Sequence, residues 1–526
     1  MRPPCDEAVI RSWSASRPAA TPCAAKAQTW ILAATILGSS MAFIDSTAIN
    51  VALPALQTSF HATVIDVQWV VESYGLLLAA LILVGGSFGD LFGRRLIFLL
   101  GVAIFALASA ACGLASSIHQ LLLARSIQGI GAALLVPGSL AIIGTSFDET
   151  SRGKAIGTWS GFTTITTALG PVLGGWLVEH ASWRWVFFIN LPLAIVVIVI
   201  SLWHVPESRA TSRGHLDWPG ALLVTLALGG LVNGFIASEN AGWAHPLVLI
   251  SLIGGCACLI LFLFVEAAGP SPMAPLTLFR SSSFSGANLL TLCLYAAIGI
   301  FFFLFPLDLI QVWKYSTTAT GAAMLPLILL IFLLSRWSGG LVARRGQRLP
   351  LTIGPLVAAL GFILFAVPSA HGNYWISFFP ATIVLGLGLA ITVAPLTTVV
   401  MNAVSEDRVG AASGINNAVA RVAGVLAIAI LGVVMTKAFG FHLNRSLANL
   451  SLPSQILAEL ERNEIRLAGL QAPPGLDPAT QAAINQSIAA AFVFGFRIVM
   501  AMCAALSAAS AALAWLMIPK STSSLS

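Results

Sequence analysis

Asp45, Glu72, Arg125, Arg336, Arg421 and Arg497 all stand within or near long apolar stretches of this chain. A charge at the centre of a bilayer costs at least about 2.5–3.5 kcal/mol, so such residues persist where they pair, meet water or handle protons. Asp45 has no basic neighbour one turn away in sequence. A carboxylate so placed can load a proton from one side and release it on the other. Glu72 follows Trp69 by one turn on the same helical face. It can serve as a second proton site, engage a cationic substrate, or mark the outer mouth. Arg125 stays charged throughout and so cannot carry a proton itself. It can favour the charge on a carboxylate that one conformation brings near. Arg336 lies close enough to a helix end to snorkel, while Arg421 and Arg497 suit polar contacts between helices.

Other chemistries find no support. Seven cysteines show neither disulfide nor zinc spacing, and Cys256 and Cys258 read as small buried thiols in an apolar run. The eight histidines are scattered near span ends and loops, none paired at i, i+4. No GxxxxGK[ST] phosphate loop occurs, and no polar stretch is large enough for an ATPase domain. The energy for any work must then come from an ion gradient, with no cofactor and no metal expected.

The elements that position these residues follow from composition. With 58% hydrophobic and 9% charged residues, the chain cannot build a water-facing surface, and lipid must be its solvent. The net charge of +6 does not imply nucleic acid, because the basic residues fall in short clusters between apolar runs. A crossing helix needs about 20 apolar residues, and fourteen runs qualify, the last two at 409–436 and 489–517. Runs of this length are helical in lipid. Lys and Arg concentrate on one side of this arrangement, at Arg94, Arg95, Arg152, Lys154, Arg344, Arg345, Arg348 and Lys520 among others. That side is expected to be the cytoplasm, with both termini inside a plasma (inner) membrane. The first 27 residues lack a cleavable signal pattern and read as a cytoplasmic tail before an uncleaved anchor.

One long hydrophilic stretch, 437–488, separates the last two runs on the outer side. Ile456, Leu457, Leu460, Ile465 and Leu467 have the spacing of a short amphipathic helix, and Asp477-Pro478 reads as a helix start leading into the last span. Two turns resemble each other: Gly86-Ser-Phe-Gly-Asp90-Leu-Phe-Gly93-Arg94-Arg95 after span 2, and Gly339-Gly-Leu-Val-Ala343-Arg344-Arg345-Gly346 after span 10. Two halves of six spans would put the second copy after span 8. Two spans are therefore inserted, and spans 7 and 8 are the natural ones. Paired half-repeats around a central site are a transporter architecture.

Five segments carry a family resemblance. The turn Gly86 to Arg95 is similar to the signature G-x-L-A-D-R-x-G-R-R, with Leu91 standing where an arginine is usual. Span 1 has Ile44-Asp45-Ser-Thr47-Ala-Ile-Asn50-Val-Ala-Leu-Pro54; span 4 has Arg125-Ser-Ile-Gln128-Gly129; span 5 has Gly170-Pro171-Val-Leu-Gly174-Gly175; span 6 opens on Ser182-Trp-Arg184-Trp185 and reaches Asn190-Leu-Pro192. In this order they resemble the major facilitator superfamily, and within it the fourteen-span drug:proton antiporters. The resemblance covers about residues 30–436 and the last span.

It implies an all-α membrane protein of the major facilitator fold, two six-helix half-repeats with two inserted central spans. The expected division is a tail 1–29, an N-terminal half 30–204, the inserted pair and its loops 205–280, a C-terminal half 281–518 containing the loop 437–488, and a tail 519–526. Arg125 would take the family's proton-coupling role, with Asp45, Glu72, Trp69 and Gln128 around the proton and substrate cavity. Gly86, Asp90, Gly93, Arg94 and Arg95 would form a cytoplasmic gate. There Asp90 would accept from the start of span 13 near Ser405-Glu-Asp-Arg408, and Ala343 would leave the second copy without a latch. Gly170, Pro171, Gly174 and Gly175 would kink span 5 and admit a close neighbour. The function expected is proton-driven export of small amphipathic compounds by alternating access. The chain should act as a monomer in the lipid bilayer, with protons and the transported compound as its partners. A transporter of one metabolite, by export or proton symport, stays open on these residues. So does a transport-inactive sensor or scaffold, although that reading predicts losses among the intramembrane charges that are not seen.

Overall fold

The computed structural model describes residues 25–147, 149–209, 217–269, 274–368, 373–404, 409–448 and 476–520, with residue 272 and parts of 450–473. Fourteen helices in it are long and apolar enough to cross a membrane. In chain order they are α1 Ala25–Phe60, α2 Val64–Phe92, α3 Arg94–Leu114, α4 Ile118–Ser146 and α5 Glu149–His180. Next come α6 (Trp185–Phe188 continued by Asn190–His204), α7 Trp218–Ala241 and α8 Pro246–Ala268. The remainder are α9 Ser282–Leu307, α10 (Thr317–Ala323 continued by Leu325–Gly339), α11 Arg348–Phe365, α12 Phe379–Asn402, α13 Val409–Leu447 and α14 Pro478–Met517. No strand occurs among the described residues.

Helix ends are set by local chemistry. Thr63 and Asp66 form a capping box at the start of α2, each side chain bonding the other's backbone N–H. Asp217 caps α7 and His245 caps α8, each followed by an early proline whose missing N–H costs nothing there. The Asp477-Pro478 start of α14 is as the spacing predicts, with Asp477 accepting from the Thr480 N–H at 3.0 Å.

Two six-helix halves, α1–α6 and α9–α14, face each other. Within the first, α4 packs on α2 and α3, and α1 on α5 and α6; within the second, α11 packs on α12 and α14, and α9 on α13 and α14. The halves meet along α5 with α10 and along α2 with α13. The inserted helices α7 and α8 pack on each other, and α7 lies against α2 and α13. Leu228, Val232 and Ile236 of α7 close over Leu76, Ala79 and Ala80 of α2 and Val425 and Ala429 of α13. The inserted pair therefore covers one seam between the halves from the lipid side.

The segment between α13 and α14 is shorter than the 437–488 expected. Phe439, Leu443 and Leu447 recur every four residues and are buried, which carries α13 eleven residues past its expected end. Ile484 and Ile488 do the same for the lead-in of α14. Most of the expected amphipathic helix lies outside the described residues, but Leu460 and Leu467 are buried in the core. Ser405–Arg408 and the side chains of Arg336 and Ala343 also lie outside the described residues.

Candidate functional site

Asp45 and Arg125, 80 residues apart in sequence, meet in the interior of the N-terminal half, and both are fully buried. Arg125 Nη1 donates to Asp45 Oδ2 in a close ion pair. The second carboxylate oxygen, Oδ1, accepts from Gln128 Nε2 at 2.9 Å and from Asn190 Nδ2 at 3.4 Å. Gln128 Oε1 accepts from the same Arg125 Nη1 at 2.9 Å, and Nε donates to the Val70 carbonyl at 3.1 Å. Gln128 and Asn190 also donate to Ser109 Oγ, at 3.3 and 3.0 Å. The guanidinium lies over the Tyr74 ring at 4.3 Å, and its Nη2 has no hydrogen-bond partner among the described residues.

Helical spacing explains the convergence. Arg125 and Gln128 are three apart on α4 and share a face, while Asn190 begins the second piece of α6, where the helix breaks at Ile189. The ion pair replaces water with a partner and four hydrogen bonds, which is how a buried charge is tolerated. Asp45, Arg125 and Gln128 are legible as candidates in the sequence, whereas Asn190, Ser109 and Tyr74 are not, although Asn190 lies inside the motif that opens span 6.

Glu72 does not join this cluster. Its carboxylate is fully buried and makes no hydrogen bond or ion pair with any described residue. It stands one turn from both Trp69 and Leu76, and those two pack at the junction of α2 with α7 and α13. A further buried carboxylate escaped the sequence reading. Asp308 ends the apolar run of α9 in a wide π-helical turn, closed by the Trp313 N–H to the Asp308 carbonyl at 3.1 Å. Its Oδ1 has no partner among the described residues. The test that picked out Asp45, a carboxylate in an apolar run, applied equally to it. Arg421 of α13 reaches across to the Phe43 ring of α1 at 5.5 Å, a contact between helices, whereas Arg497 of α14 donates to the carbonyls of Val367 and Pro368 in the turn that follows α11.

The α5 motif draws three helices together. A side chain at Gly174 would sit 2.8 Å from Ala48 of α1, and one at Gly170 would strike Thr47. Gly175 faces the Thr317 carbonyl of α10, and the Pro171 carbonyl faces Gly321. Around this contact Thr317 Oγ1 donates to the Gly175 carbonyl at 2.9 Å, the Thr318 N–H to Glu179 Oε2 at 3.0 Å, and Gln311 Nε2 to Gln57 Oε1 at 2.7 Å. The contacts of α5 with α10 and these three hydrogen bonds join one half to the other at the bundle end away from Asp90, here called the distal end.

At the opposite, proximal end Asp90 is half exposed and pairs with Arg94 at 2.7 Å. Its expected partner at the start of α13 lies outside the described residues. Gly93 has φ +120°, a conformation that only glycine adopts readily, and any side chain there would meet the Glu207 carboxylate. Glu207, which the sequence reading passed over, accepts from the backbone N–H groups of Arg95 and Leu96 at 3.1 Å each. It thus satisfies the first turn of α3. Gly86 stands with open space around it except for Pro137 at 3.8 Å.

Fourteen spans in two facing halves, with a buried ion pair inside one of them, define a secondary transporter of the membrane rather than an enzyme. Residues 35–428 match the model of the Major Facilitator Superfamily, and the chain belongs to that family. It is 37% identical over 417 residues to the multidrug resistance protein Stp of Mycobacterium tuberculosis (strain CDC 1551 / Oshkosh), covering 78% of this chain and 76% of that one. It is 32% identical over 491 residues to the tetracenomycin C resistance and export protein of Streptomyces glaucescens, covering 92% and 90%. Among solved structures it resembles a bacterial homologue of the human lysosomal transporter Spinster in an inward-facing, unoccupied conformation. That likeness has a TM-score of 0.65 at 19% identity over 93% of this chain and 98% of the other, and it shows the shared fold.

Proposed function

We propose that the chain is a proton-coupled antiporter that exports small amphipathic compounds across a plasma (inner) membrane, with both termini in the cytoplasm. The observation that carries this reading is the fully buried Asp45–Arg125 pair. Arg125 cannot lose its charge. A proton on Asp45 would strand that charge in the interior, at a cost of several kcal/mol. Proton uptake and movement of Arg125 must therefore occur together, and this joint change couples protonation to conformation. Gln128 and Asn190 hold the unprotonated carboxylate in the paired state. Glu72 is the second candidate proton site, on a different face of the first half, and Trp69 beside it would contact substrate only if the α2–α7–α13 junction parts.

Gly170, Pro171, Gly174 and Gly175 act as the seal of the distal end. Gly86, Asp90, Gly93, Arg94 and Arg95 act as the proximal, cytoplasmic gate, with Asp90 exchanging Arg94 for a partner across the halves when that end closes. The division at 204/205 and 280/281, with tails 1–29 and 519–526, belongs to the same reading, as does action by a single chain. The relatives described as multidrug resistance and export proteins support a lipophilic cargo and the outward direction. The test uses proteoliposomes with an internal pH dye and an imposed proton gradient. Some members of a panel of lipophilic cations and neutral drugs should dissipate the gradient, and Asp45→Asn should abolish the effect, with Glu72→Gln reporting on the second site. Transport of a compound by the wild type without proton movement would overturn the coupling.

A further inference from the structure

The two paired-basic turns have different electrostatic fates. In the first, Arg94 is neutralised by Asp90, and Arg95 lies by Glu207 with a bond to the Val205 carbonyl. In the second, between α10 and α11, Arg344 and Arg345 are exposed and make no ion pair or hydrogen bond with any described residue. They stand at the rim of a cavity of about 310 Å³ whose walls are Trp337 of α10, Leu349 and Ile353 of α11, and Ile391 of α12. Trp337, Leu349 and Ile353 are each 42–50% exposed, and α11 packs on α12 and α14 of its own half rather than along the seam with the first, which suits a cavity that opens toward lipid. Arg344 and Arg345 close a short helix, Leu341–Arg345, and Gly346 at φ +76° turns the chain sharply after it.

The geometry points to a binding site for an anionic phospholipid, its phosphate held by Arg344 and Arg345 and its acyl chain lying along Leu349, Ile353 and Ile391. Each feature of the site fits that occupant. Two guanidinium groups with no acid partner among the described residues complement a phosphodiester. They lie where a spanning helix ends, the depth of the lipid headgroup layer, and Trp337 is of the residue type that favours that layer. The apolar wall continues from the rim into the hydrocarbon region along α11, which a soluble anion would not need. The loss of an acid at the second copy of the turn thus leaves a lipid site where the first copy has an internal ion pair. This site is independent of the transport reading, because it lies on the bundle's outer surface.

The experiment is native mass spectrometry of the full chain in mild detergent. Phosphatidylglycerol and phosphatidylcholine of identical acyl chains are titrated separately, with inorganic phosphate as a competitor. Wild type should retain phosphatidylglycerol in preference to phosphatidylcholine, and phosphate at equal concentration should not displace it. Arg344→Gln with Arg345→Gln should weaken phosphatidylglycerol retention roughly tenfold or more, and Arg209→Gln, at another exposed arginine of the same end, should leave it unchanged. Equal retention of the two lipids by the wild type overturns the proposal without recourse to any variant. So does displacement by phosphate, which would mark a site for any small anion, and so does full retention by the double variant.

Discussion

Alanine at Gly175 should open the distal seam. Its methyl group would press on the Thr317 carbonyl and on Thr318 Cα at 3.0 Å, backbone atoms that no rotamer change can move aside. Overpacking of this kind costs about 1–3 kcal/mol. The cost falls on the state in which α5 and α10 touch, and not on a state in which they have parted. The ratio of seam-closed to seam-open molecules should therefore drop by roughly 5- to 150-fold. Alanine is the better helix former by about 1 kcal/mol, so the helix itself should not be weakened. The assay is double electron–electron resonance between spin labels at Ser59 and Lys314, exposed positions on opposite halves of the distal end, in a cysteine-free background. A longer distance should gain population in Gly175→Ala, and not in Gly229→Ala, where nothing lies within 4 Å. An unchanged distance distribution in a folded Gly175→Ala protein would refute the assignment of this contact as the seal.

Other consequences follow from the same contacts. Asp45→Asn leaves Arg125 buried without its counter-charge and should cost about 3–5 kcal/mol in unfolding free energy; adding Arg125→Gln should recover most of that stability while coupling stays lost, as thermal unfolding and proton flux would show. Glu207→Ala removes the acceptor for two backbone N–H groups at the start of α3 and should lower stability by about 1–2 kcal/mol, read by thermal unfolding beside a milder Glu207→Gln. The hydrogen bonds from Thr480 hold the Asp477 carboxyl below its ordinary value of 3.8. A depressed carboxyl stabilises above the unfolded value and loses that contribution as pH falls through the folded one. Amide protection of Thr480 should thus be level from pH 7 to 5 and fall only below the ordinary carboxylate range, and a loss beginning near pH 6 would contradict the cap.

The fold was legible in the sequence because lipid imposes a length and an apolar composition on every span, and fourteen such runs are present. Span ends were less so where a helix leaves the bilayer. A hydropathy ruler stops at Lys437, yet the four-residue spacing of Phe439, Leu443 and Leu447 carries α13 onward through burial against protein rather than lipid. At the site, Asp45 and Arg125 were visible singly as charges in apolar surroundings. Their pairing was not, since partners on α1 and α4 are joined by tertiary packing and leave no periodicity. Asn190 depends on the break in α6, and the separation of Glu72 from the pair depends on which face of α2 the inserted helix covers. Glu207 was hidden for a related reason: its partners are backbone N–H groups 111 and 112 residues earlier, and no side-chain pattern records them.

The most direct test of proton coupling is uphill movement driven by a proton gradient alone. Reconstituted vesicles with the membrane potential clamped at zero would receive a labelled lipophilic compound under a pH step. Wild type should accumulate it above equilibrium and release it when an ionophore collapses the step, while Asp45→Asn should only equilibrate it. Accumulation that survives collapse of the step, or that persists in Asp45→Asn, would contradict the role given to the Asp45–Arg125 pair.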